Sequence, residues 1–400
     1  MSSQEVGPPR PVSAEPESAA AEARAVDRPT LIQLVPRRAA EPNGVADYAL
    51  ALARALDVHH GIRSVFLSAT PTVHATPVQD EWRTVSLPRR QGRILADTIR
   101  SLSAETRAGA LLLHFSGYGY QNRGVPLWLA HGLRLWRQRA GRMPLITTFH
   151  ELYATGRPWQ SAFWLSPVQR QIARGILALS SVAITSTNLH SRRLSGWEGG
   201  GDKIITAMPV FSNVGEPGCG AAPCARDATA VVFGLAGVED RLFGIYRPEV
   251  ERAVSTLGIR QIVDVGPRLS PMPGHLAGVP FVSKGPLPQR AVSDLLHRAR
   301  FGFVAYPVDV IGKSGVFAAY AAHGVVPIVL SDEKRQASLD GLRSSQHFLD
   351  GLRLADVDAH DLASIQGELF AWYQSHSLKV QADFLARSIF PGARQASARA

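Results

Sequence analysis

Cysteine is nearly absent from this sequence, which has two among its 400 residues. Two cysteines cannot provide a disulfide framework that would stabilise a chain of this size. Cys219 and Cys224 also lack the second pair of cysteine or histidine ligands that a structural zinc site needs. No run of about 18 apolar residues is free of charges or breaks, and the first residues lack the apolar centre of a secretory signal, so we expect neither a membrane span nor a signal. The composition indicates a reduced, cytoplasmic protein, and we expect neither a metal nor another cofactor.

Blocks of one charge sign are also missing. The chain has 43 basic and 33 acidic residues, a formal net charge of +10, and its basic residues are spread along the chain and are mostly arginine. No five or six of them stand together as in a nucleic-acid-binding arm, so we expect no nucleic-acid partner. The excess either reflects an arginine-rich background or favours an anionic partner, such as lipid headgroups or a phosphorylated small molecule.

Short apolar strands alternate with helices in two series. In the first series we predict strands at 31–35, 62–67, 110–115, 144–149, 181–187 and 203–207. Helices are predicted between them at 44–56, 91–102, 125–139 and 164–178. In the second series we predict strands at 229–234, 260–266, 301–307 and 325–330. The predicted helices are at 247–257, 288–299, 314–323 and 361–375. Apolar strands separated by helices indicate parallel sheets covered on both faces. The fold class is therefore α/β, with two Rossmann-like doubly wound parallel-sheet domains that face a cleft.

Composition places the boundaries of these domains. Residues 1–28 are rich in Pro, Ala, Ser and Glu and are expected to be a disordered tail. A linker is expected at 213–228, where Gly, Pro and both cysteines interrupt the hydrophobic pattern. The N-terminal domain then covers 29–212 and the C-terminal domain 229–385, followed by a second tail at 386–400.

Ligands of open parallel sheets bind beyond the carboxyl ends of the strands, so residues there are the first candidates. Gly44 stands at a helix start, where free N–H groups hold a phosphate or a hydroxyl. His114 precedes a loop rich in glycine and tyrosine that suits a sugar. His150 and Glu151 end a strand, and Ala154 stands where an HExxH zinc motif needs its second histidine, so no metal is expected. The alternatives without a functional role are a tight turn at Gly44, a buried core position for His114, and a solvent-exposed carboxylate at Glu151 beside a histidine that only caps the sheet edge.

The most informative segment is 312–330, which begins Gly-Lys-Ser-Gly. Lys313, Ser314 and Gly315 stand at a helix N-terminus, where N–H groups, the helix dipole and a cation favour the diphosphate of a nucleotide donor. The segment is not a Walker A loop, and close packing of a small-residue helix is the alternative. Arg241, after the first strand of the second half, is a weaker phosphate-binding candidate and is otherwise a surface arginine.

Three passages resemble the bacterial GT-B glycosyltransferases, particularly the group 1 or family 4 class. They are PNGVADYALALARAL, TTFHEL, and the run from GPLPQRAVSDLLHRARFGFVAYP to GKSGVFAAYAAHGVVPIV. The resemblance covers most of residues 30–385 and implies two facing Rossmann-like domains. This sequence departs from the family because helix 315–320 has no carboxylate, where the family often has a pair of glutamates. Arg241 alone stands where the family has an arginine and a lysine.

The resemblance implies a metal-independent and retaining hexosyltransferase of polysaccharide or glycoconjugate biosynthesis. It implies a nucleotide-sugar donor in the C-terminal half and a saccharide or lipid-linked acceptor in the N-terminal half. Lys313, Ser314, Gly315 and Arg241 are then expected to bind the donor. His150 and Glu151 are expected to be catalytic, and Gly44 and His114 to lie on the acceptor side of the cleft. A basic surface suits peripheral contact with an anionic membrane at its inner face. A non-catalytic scaffold of a polysaccharide assembly system and a nucleotide-sugar epimerase remain open alternatives.

Overall fold

A computed structural model describes most of the chain, namely residues 28–37, 44–71, 82–140, 143–154, 156, 158–218, 222–234, 240–267, 274–331, 338, 340–354 and 357–389. Apart from Arg28, the predicted tail at 1–28 lies outside these residues, as do Cys219 and residues 390–400 of the second predicted tail. Within the described ranges, no helix is both long and apolar enough to cross a bilayer.

The first half of the chain forms a fully parallel sheet of seven strands. In sheet order the strands are β3, β2, β1, β4, β5, β6 and β7. Their bounds are β1 Thr30–Val35, β2 Arg63–Ser68, β3 Thr84–Ser86, β4 Ala108–Phe115, β5 Leu145–Phe149, β6 Val182–Thr185 and β7 Ile204–Ala207. All six residues of β1 are buried, because helices cover both faces of the sheet.

Six α-helices of the described residues accompany this sheet: α1 Gly44–His60, α2 Gly92–Thr106, α3 Gly117–Tyr120, α4 Leu127–Ala140, α5 Ser161–Leu179 and α6 Asn188–Glu198. Neighbouring residues of a strand face opposite sides, so Leu31 packs in the core that α1 covers and Ile32 in the core that α2, α4 and α5 cover. The site-bearing loops are thereby held between two apolar layers.

The second half repeats the design with seven strands in the order β10, β11, β9, β8, β12, β13 and β14. Their bounds are β8 Asp227–Phe233, β9 Gln261–Val265, β10 His275–Leu276, β11 Val279–Ser283, β12 Ala299–Ala305, β13 Val326–Leu330 and β14 Leu349–Asp350. Only β10 runs antiparallel, to β11, among the described strand pairs. The helices are α7 Arg247–Thr256, α8 Gln289–Arg298, α9 Gly315–His323, α10 Ala359–Gln374 and α11 Leu378–Ile389.

The end of the chain returns to the first half. Helix α11 packs on α1, where His60 Nε2 lies 2.8 Å from Asp383 Oδ1 and the Tyr48 hydroxyl donates to Gln381 Oε1. Its last four residues, 386–389, fall in the range predicted as a tail. Strand β8 begins at Asp227, two residues inside the predicted linker. The first half is therefore completed by a helix that follows the second half in sequence.

The predicted fold class is confirmed, with two seven-stranded, mainly parallel sheets flanked by helices. Two strand predictions ran two residues too far, since β6 ends at Thr185 rather than at 187 and β12 ends at Ala305 rather than at 307. Thr187 instead caps α6, its hydroxyl accepting a hydrogen bond from His190 N at 3.2 Å. Helix α6 was missed because its residues have little apolar periodicity. Strands β3, β10 and β14 were missed because two or three residues carry no period. Strand β11 was also missed, since it is only partly buried and carries Pro280, which is untypical of a strand interior.

Candidate functional site

A cavity of about 320 Å³ opens between the two halves. Five residues singled out from the sequence line it, which are Gly44, His150, Glu151, Lys313 and Gly315. They come from the start of α1, the end of β5 and the start of α9. The carboxyl ends of both sheets thus face each other across this space, as the doubly wound arrangement requires.

Lys313 ends a short 3₁₀ segment, Val308–Lys313, and stands immediately before α9. Burial lowers the pKa of its ammonium group, and the charge of Glu151 partly offsets that effect. Within the described part of the chain, no carboxylate oxygen comes within 4 Å of its nitrogen. Ser314 is buried and caps α9, since its hydroxyl accepts from Phe317 N at 3.2 Å. Lys313 is therefore a half-buried cation at a helix N-terminus, while Ser314 serves the helix itself.

His150 is hydrogen-bonded to a buried chain of polar side chains, Ser64, Gln33 and His114, which we call the buried relay. Gln33 Nε2 donates to Ser64 Oγ at 2.8 Å, which leaves Gln33 Oε1 facing His114 Nε2 at 2.8 Å. An amide oxygen only accepts, so His114 Nε2 carries a proton. Burial holds the pKa of His114 well below its usual value, so its Nδ1 is bare and accepts from His150 Nε2 at 3.3 Å.

The relay fixes the tautomer of His150. With its proton on Nε2, the ring keeps a lone pair on Nδ1 that can accept a hydrogen bond. Burial, followed by the charge of Lys313, lowers the pKa of His150 to about 3, so the ring is neutral near pH 7. His114 is fully buried, so the structure places it beneath the cleft rather than in it. His150 can therefore orient a hydroxyl but does not supply a positive charge.

Aromatic packing holds the relay from the side. Tyr48 stacks on Phe211 with centroids 4.4 Å apart and meets His150 edge-on at 5.1 Å. Gln381, which accepts from the Tyr48 hydroxyl, donates through Nε2 to Pro209 O at 2.7 Å. Burial raises the pKa of Tyr48, so its hydroxyl stays protonated. Helix α11 thus braces the cleft wall, a role that no local pattern in the sequence announces.

A second cavity of about 420 Å³ adjoins the first and shares Glu151 and Lys313 with it. Its walls include the aromatic rings of Tyr118 and Tyr153 and, from α6, His190 and Arg193. Polar groups beside aromatic rings are typical of a site that holds a sugar.

The walls of this second cavity are pinned by hydrogen bonds. Gln169 of α5 donates to Arg123 O at 2.7 Å and accepts from Ala154 N at 2.7 Å. Glu151 accepts from Ser116 Oγ at 2.9 Å, and Arg193 lies over the ring of Tyr153. Sequence reasoning missed Arg193 and His190 because it missed their helix. Ser116 could have been found, since it directly follows β4.

The halves touch beside Lys313. Val210 N donates to Gly312 O at 2.9 Å, and Asn188 N donates to Asp340 Oδ1 at 2.6 Å. A Cβ atom on Gly312 would lie 3.1 Å from Ser186 O and 3.2 Å from Asp340 Oδ2, so only glycine fits without displacing a neighbour. This contact fixes where Lys313 stands relative to the first half.

The structure says little about the ligand-binding roles predicted for Arg241 and Gly44. Arg241 belongs to a π-helical turn, Asp240–Ile245, but its side chain lies outside the described part of the structure. Gly44 begins α1, and no described atom lies within 4 Å of a Cβ built on it, so space alone does not require glycine there.

No family model matches this chain, and no curated protein matches it in sequence. Solved structures do match in fold. A UDP-forming α,α-trehalose-phosphate synthase from Burkholderia vietnamiensis aligns with a TM-score of 0.59 at 13% identity, over 92% of this chain and 98% of its own. A glycosyltransferase from Rickettsia africae ESF-5 aligns with a TM-score of 0.56 at 11% identity, over 92% and 100%.

An α-glucosyltransferase in complex with UDP and a DNA 13-mer also aligns, with a TM-score of 0.54 at 9% identity, over 90% of this chain and 98% of its own. At such identities the likeness concerns the fold. The chain has the GT-B fold, and the resemblance stated from the sequence is confirmed at that level.

Proposed function

We propose that the protein is a glycosyltransferase that takes a sugar from a nucleotide-diphosphate donor. The observation that carries this proposal is the position of Lys313, a half-buried cation before the N-terminus of α9 that shares a cavity with His150 and Glu151. A helix N-terminus and an adjacent cation both stabilise an anion such as a diphosphate. Uridine diphosphate is the nucleotide we expect, because fold neighbours are described as UDP-forming or in complex with UDP.

In the proposed reaction, the bond between the anomeric carbon and the diphosphate oxygen breaks, and an acceptor hydroxyl oxygen bonds to that carbon. Negative charge grows on the departing diphosphate, where Lys313 and the first N–H groups of α9 stabilise it. Glu151, a carboxylate that lines both cavities, accepts the proton of the acceptor hydroxyl. His150 holds a hydroxyl of the donor sugar through its bare Nδ1. Catalysis is then mainly positioning and electrostatic stabilisation.

The second cavity is where we expect the acceptor. Its two tyrosines offer aromatic rings, and Arg193 and Asp309 offer hydrogen-bonding groups, which together suit a saccharide. Because Glu151 lies on the boundary of both cavities, an acceptor there would meet the donor at this carboxylate. A saccharide or a lipid-linked saccharide fits this arrangement.

A non-catalytic binding protein is the second candidate, and one observation favours it. Helix α9 carries no carboxylate, whereas the family often has one there to hold the nucleotide. Such a protein would bind a saccharide in the second cavity but would show no saturable binding of any nucleotide sugar. An epimerase would bind the donor and alter it without an acceptor.

The test is a thermal-shift and calorimetric screen against UDP-, GDP-, ADP- and TDP-sugars. We expect one nucleotide class to stabilise the wild type saturably and the Lys313→Ala variant to lose this effect. Lys379→Ala is the matched control, because Lys379 is exposed and lines neither cavity. Analysis of products with and without saccharide acceptors then separates transfer from epimerisation. No stabilisation by any nucleotide sugar would contradict the transferase proposal.

A further inference from the structure

The net charge of the chain is concentrated in one continuous segment. Residues 106–197 contain eleven arginines, no lysine and a single carboxylate, Glu151. The other residues carry 32 basic and 32 acidic side chains, out of 43 and 33 in the whole chain. The even spread of basic residues therefore hides an uneven spread of acidic ones, and the whole excess of +10 belongs to this segment.

This segment forms one side of the first half of the molecule. It supplies β4 to β6 and the adjoining helices α4 and α5, neither of which contains an acidic residue. Arg170 and Arg174 are exposed on α5, one turn apart. Arg134 of α4 is also exposed, and its Nη2 reaches 4.0 Å from a Cβ built on Gly175. Arginines of neighbouring helices thus share one surface.

Large apolar side chains are exposed at the start of the same helix and just before it. Trp164 of α5 is 70% exposed and Phe163 42%, and Trp159, two residues before the helix begins, is 74% exposed. Phe163 and Trp164 pack edge to face at 5.3 Å, and Trp164 Nε1 donates to Pro158 O at 2.8 Å, so the rings are held in place. Six of the nine exposed large apolar side chains of the described residues fall within 106–197. Charge excess and apolar exposure therefore coincide.

Phe163 lies on the same face of α5 as the two exposed arginines, and Trp164 is the next residue after it. Phe163, Arg170 and Arg174 are spaced by seven and four residues, which places them along a single stripe of an α-helix. The N-terminal half of the stripe is apolar and the other half is basic. We refer to Trp159, Phe163, Trp164, Arg170 and Arg174 together as the α5 surface.

We propose that the α5 surface docks on an anionic lipid bilayer. Tryptophan and phenylalanine rings settle at the level of the headgroups, and arginines beside them bind lipid phosphates. Contact with a second copy through this surface would set the same positive excess against itself, which is repulsive. The three rings line neither cavity of the cleft, which disfavours a single strand of nucleic acid, whose bases stack in a channel.

The location of the α5 surface would place a docked bilayer close to the cleft. Gln169, on the same helix, lines the second cavity, so a docked bilayer would lie beside the mouth of the cleft. A lipid-linked acceptor could then reach Glu151 while its lipid stays in the membrane. This use rests on the proposed function, whereas the docking itself does not.

The test is co-sedimentation with vesicles of phosphatidylcholine alone and of phosphatidylcholine mixed with phosphatidylglycerol. We expect the wild type to sediment with the anionic vesicles at low salt and to be released at high salt. The variants Trp159→Ser/Phe163→Ser/Trp164→Ser and Arg170→Gln/Arg174→Gln should each lose at least tenfold in partition coefficient. All five side chains are exposed, so both variants should keep the wild-type circular dichroism, and loss of the ring contacts and of the Arg170 contact with Trp197 should lower the melting midpoint only slightly.

Matched controls separate the α5 surface from general charge and hydrophobicity. Val58→Ser/Ile245→Ser removes two exposed apolar side chains elsewhere, and Arg290→Gln/Arg298→Gln removes two exposed arginines of the second half; both should bind as the wild type does. Brominated lipids should quench tryptophan fluorescence in the wild type and much less in Trp159→Phe/Trp164→Phe.

Three outcomes would overturn the docking proposal. One is equal sedimentation of the wild type and the α5 variants. Another is self-association of the wild type that the α5 variants abolish, and the third is oligonucleotide binding that these variants lose while vesicle binding stays unchanged. Nucleotide-sugar binding, measured on the same variants, should not change, so failure of the docking and failure of the proposed function are distinguishable.

Discussion

Replacement of Gln33 by leucine tests whether the buried relay sets the tautomer of His150. Gln33 is fully buried and its Oε1 is the acceptor for His114 Nε2. Leucine removes that acceptor while keeping a similar volume. His114 would then have to bury an unpaired N–H, or move its proton to Nδ1 and donate it to His150 instead. We expect the second result, because an unpaired buried donor is costly.

The size of the effect follows from that cost. Leaving a buried donor unsatisfied costs about 1–3 kcal/mol, which corresponds to a change of roughly 5- to 150-fold in the ratio of two tautomers. In the wild type this penalty keeps the proton on His114 Nε2 and hence on His150 Nε2. In Gln33→Leu the same penalty favours the reverse arrangement, with His150 protonated on Nδ1. The free energy of unfolding should also fall by about 1 kcal/mol or more, because Ser64 loses its partner.

The assay is long-range ¹H–¹⁵N correlation NMR of histidine-labelled protein, which reports which ring nitrogen carries the proton. His150 is assigned among the 13 histidines by the signals that His150→Gln removes. Gln33→Glu is the matched control, since a buried, protonated carboxyl group offers His114 a carbonyl oxygen and Ser64 a donor. It should keep the wild-type tautomer. The reasoning is refuted if Gln33→Leu leaves the proton of His150 on Nε2, or if the wild type already carries it on Nδ1.

Three further predictions follow from the same structure. Donor affinity should fall as the pH rises through the lowered pKa of Lys313, at a lower pH than for an ordinary lysine, as calorimetry across pH would show; a flat profile up to pH 10 or so would contradict it. Gly312→Ala should cost about 1–3 kcal/mol in unfolding free energy, measured by denaturant titration, because its Cβ meets Ser186 O at 3.1 Å; Gly367→Ala, with no atom within 4 Å, should cost little. The free energy of unfolding should decline as the pH falls below about 6.5. The reason is that burial lowers the pKa of His150 to about 3, so between these pH values only the unfolded chain binds a proton at this residue. Melting midpoints that stay constant between pH 7 and about 4.5 would exclude this.

Much of the fold could be predicted because the strands are short, apolar and separated by amphipathic helices. The pattern of LIQLV followed by a helix is local, and burial of β1 on both faces leaves no polar alternation to obscure it. Helix α6 could not be predicted in the same way, since its residues have little apolar periodicity and Ser186 and Thr187, which precede it, were interpreted as the end of a strand. The return of α11 to α1 depends on contacts such as Tyr48 with Gln381, which are more than 300 residues apart in sequence.

The candidate site could be predicted where chemistry stands at strand ends and helix starts. His150, Glu151 and Lys313 were singled out for that reason, and the structure gathers them around one cavity. Their roles stay predictions. The relay partner Gln33 could not be found from the sequence, because a glutamine inside an apolar strand looks like any other buried polar residue. Its meaning depends on His114, which lies on the neighbouring strand.

The most direct test of the proposed donor site is calorimetric titration of uridine diphosphate into the wild type, Lys313→Ala and the control Lys379→Ala. Loss of one charge-assisted contact is worth about 1.5–3 kcal/mol, so the dissociation constant should rise roughly 10- to 150-fold in Lys313→Ala and stay unchanged in Lys379→Ala. Equal affinity of the wild type and Lys313→Ala would contradict the assignment of the diphosphate to the N-terminus of α9, and no binding of any nucleoside diphosphate would contradict the transferase proposal itself.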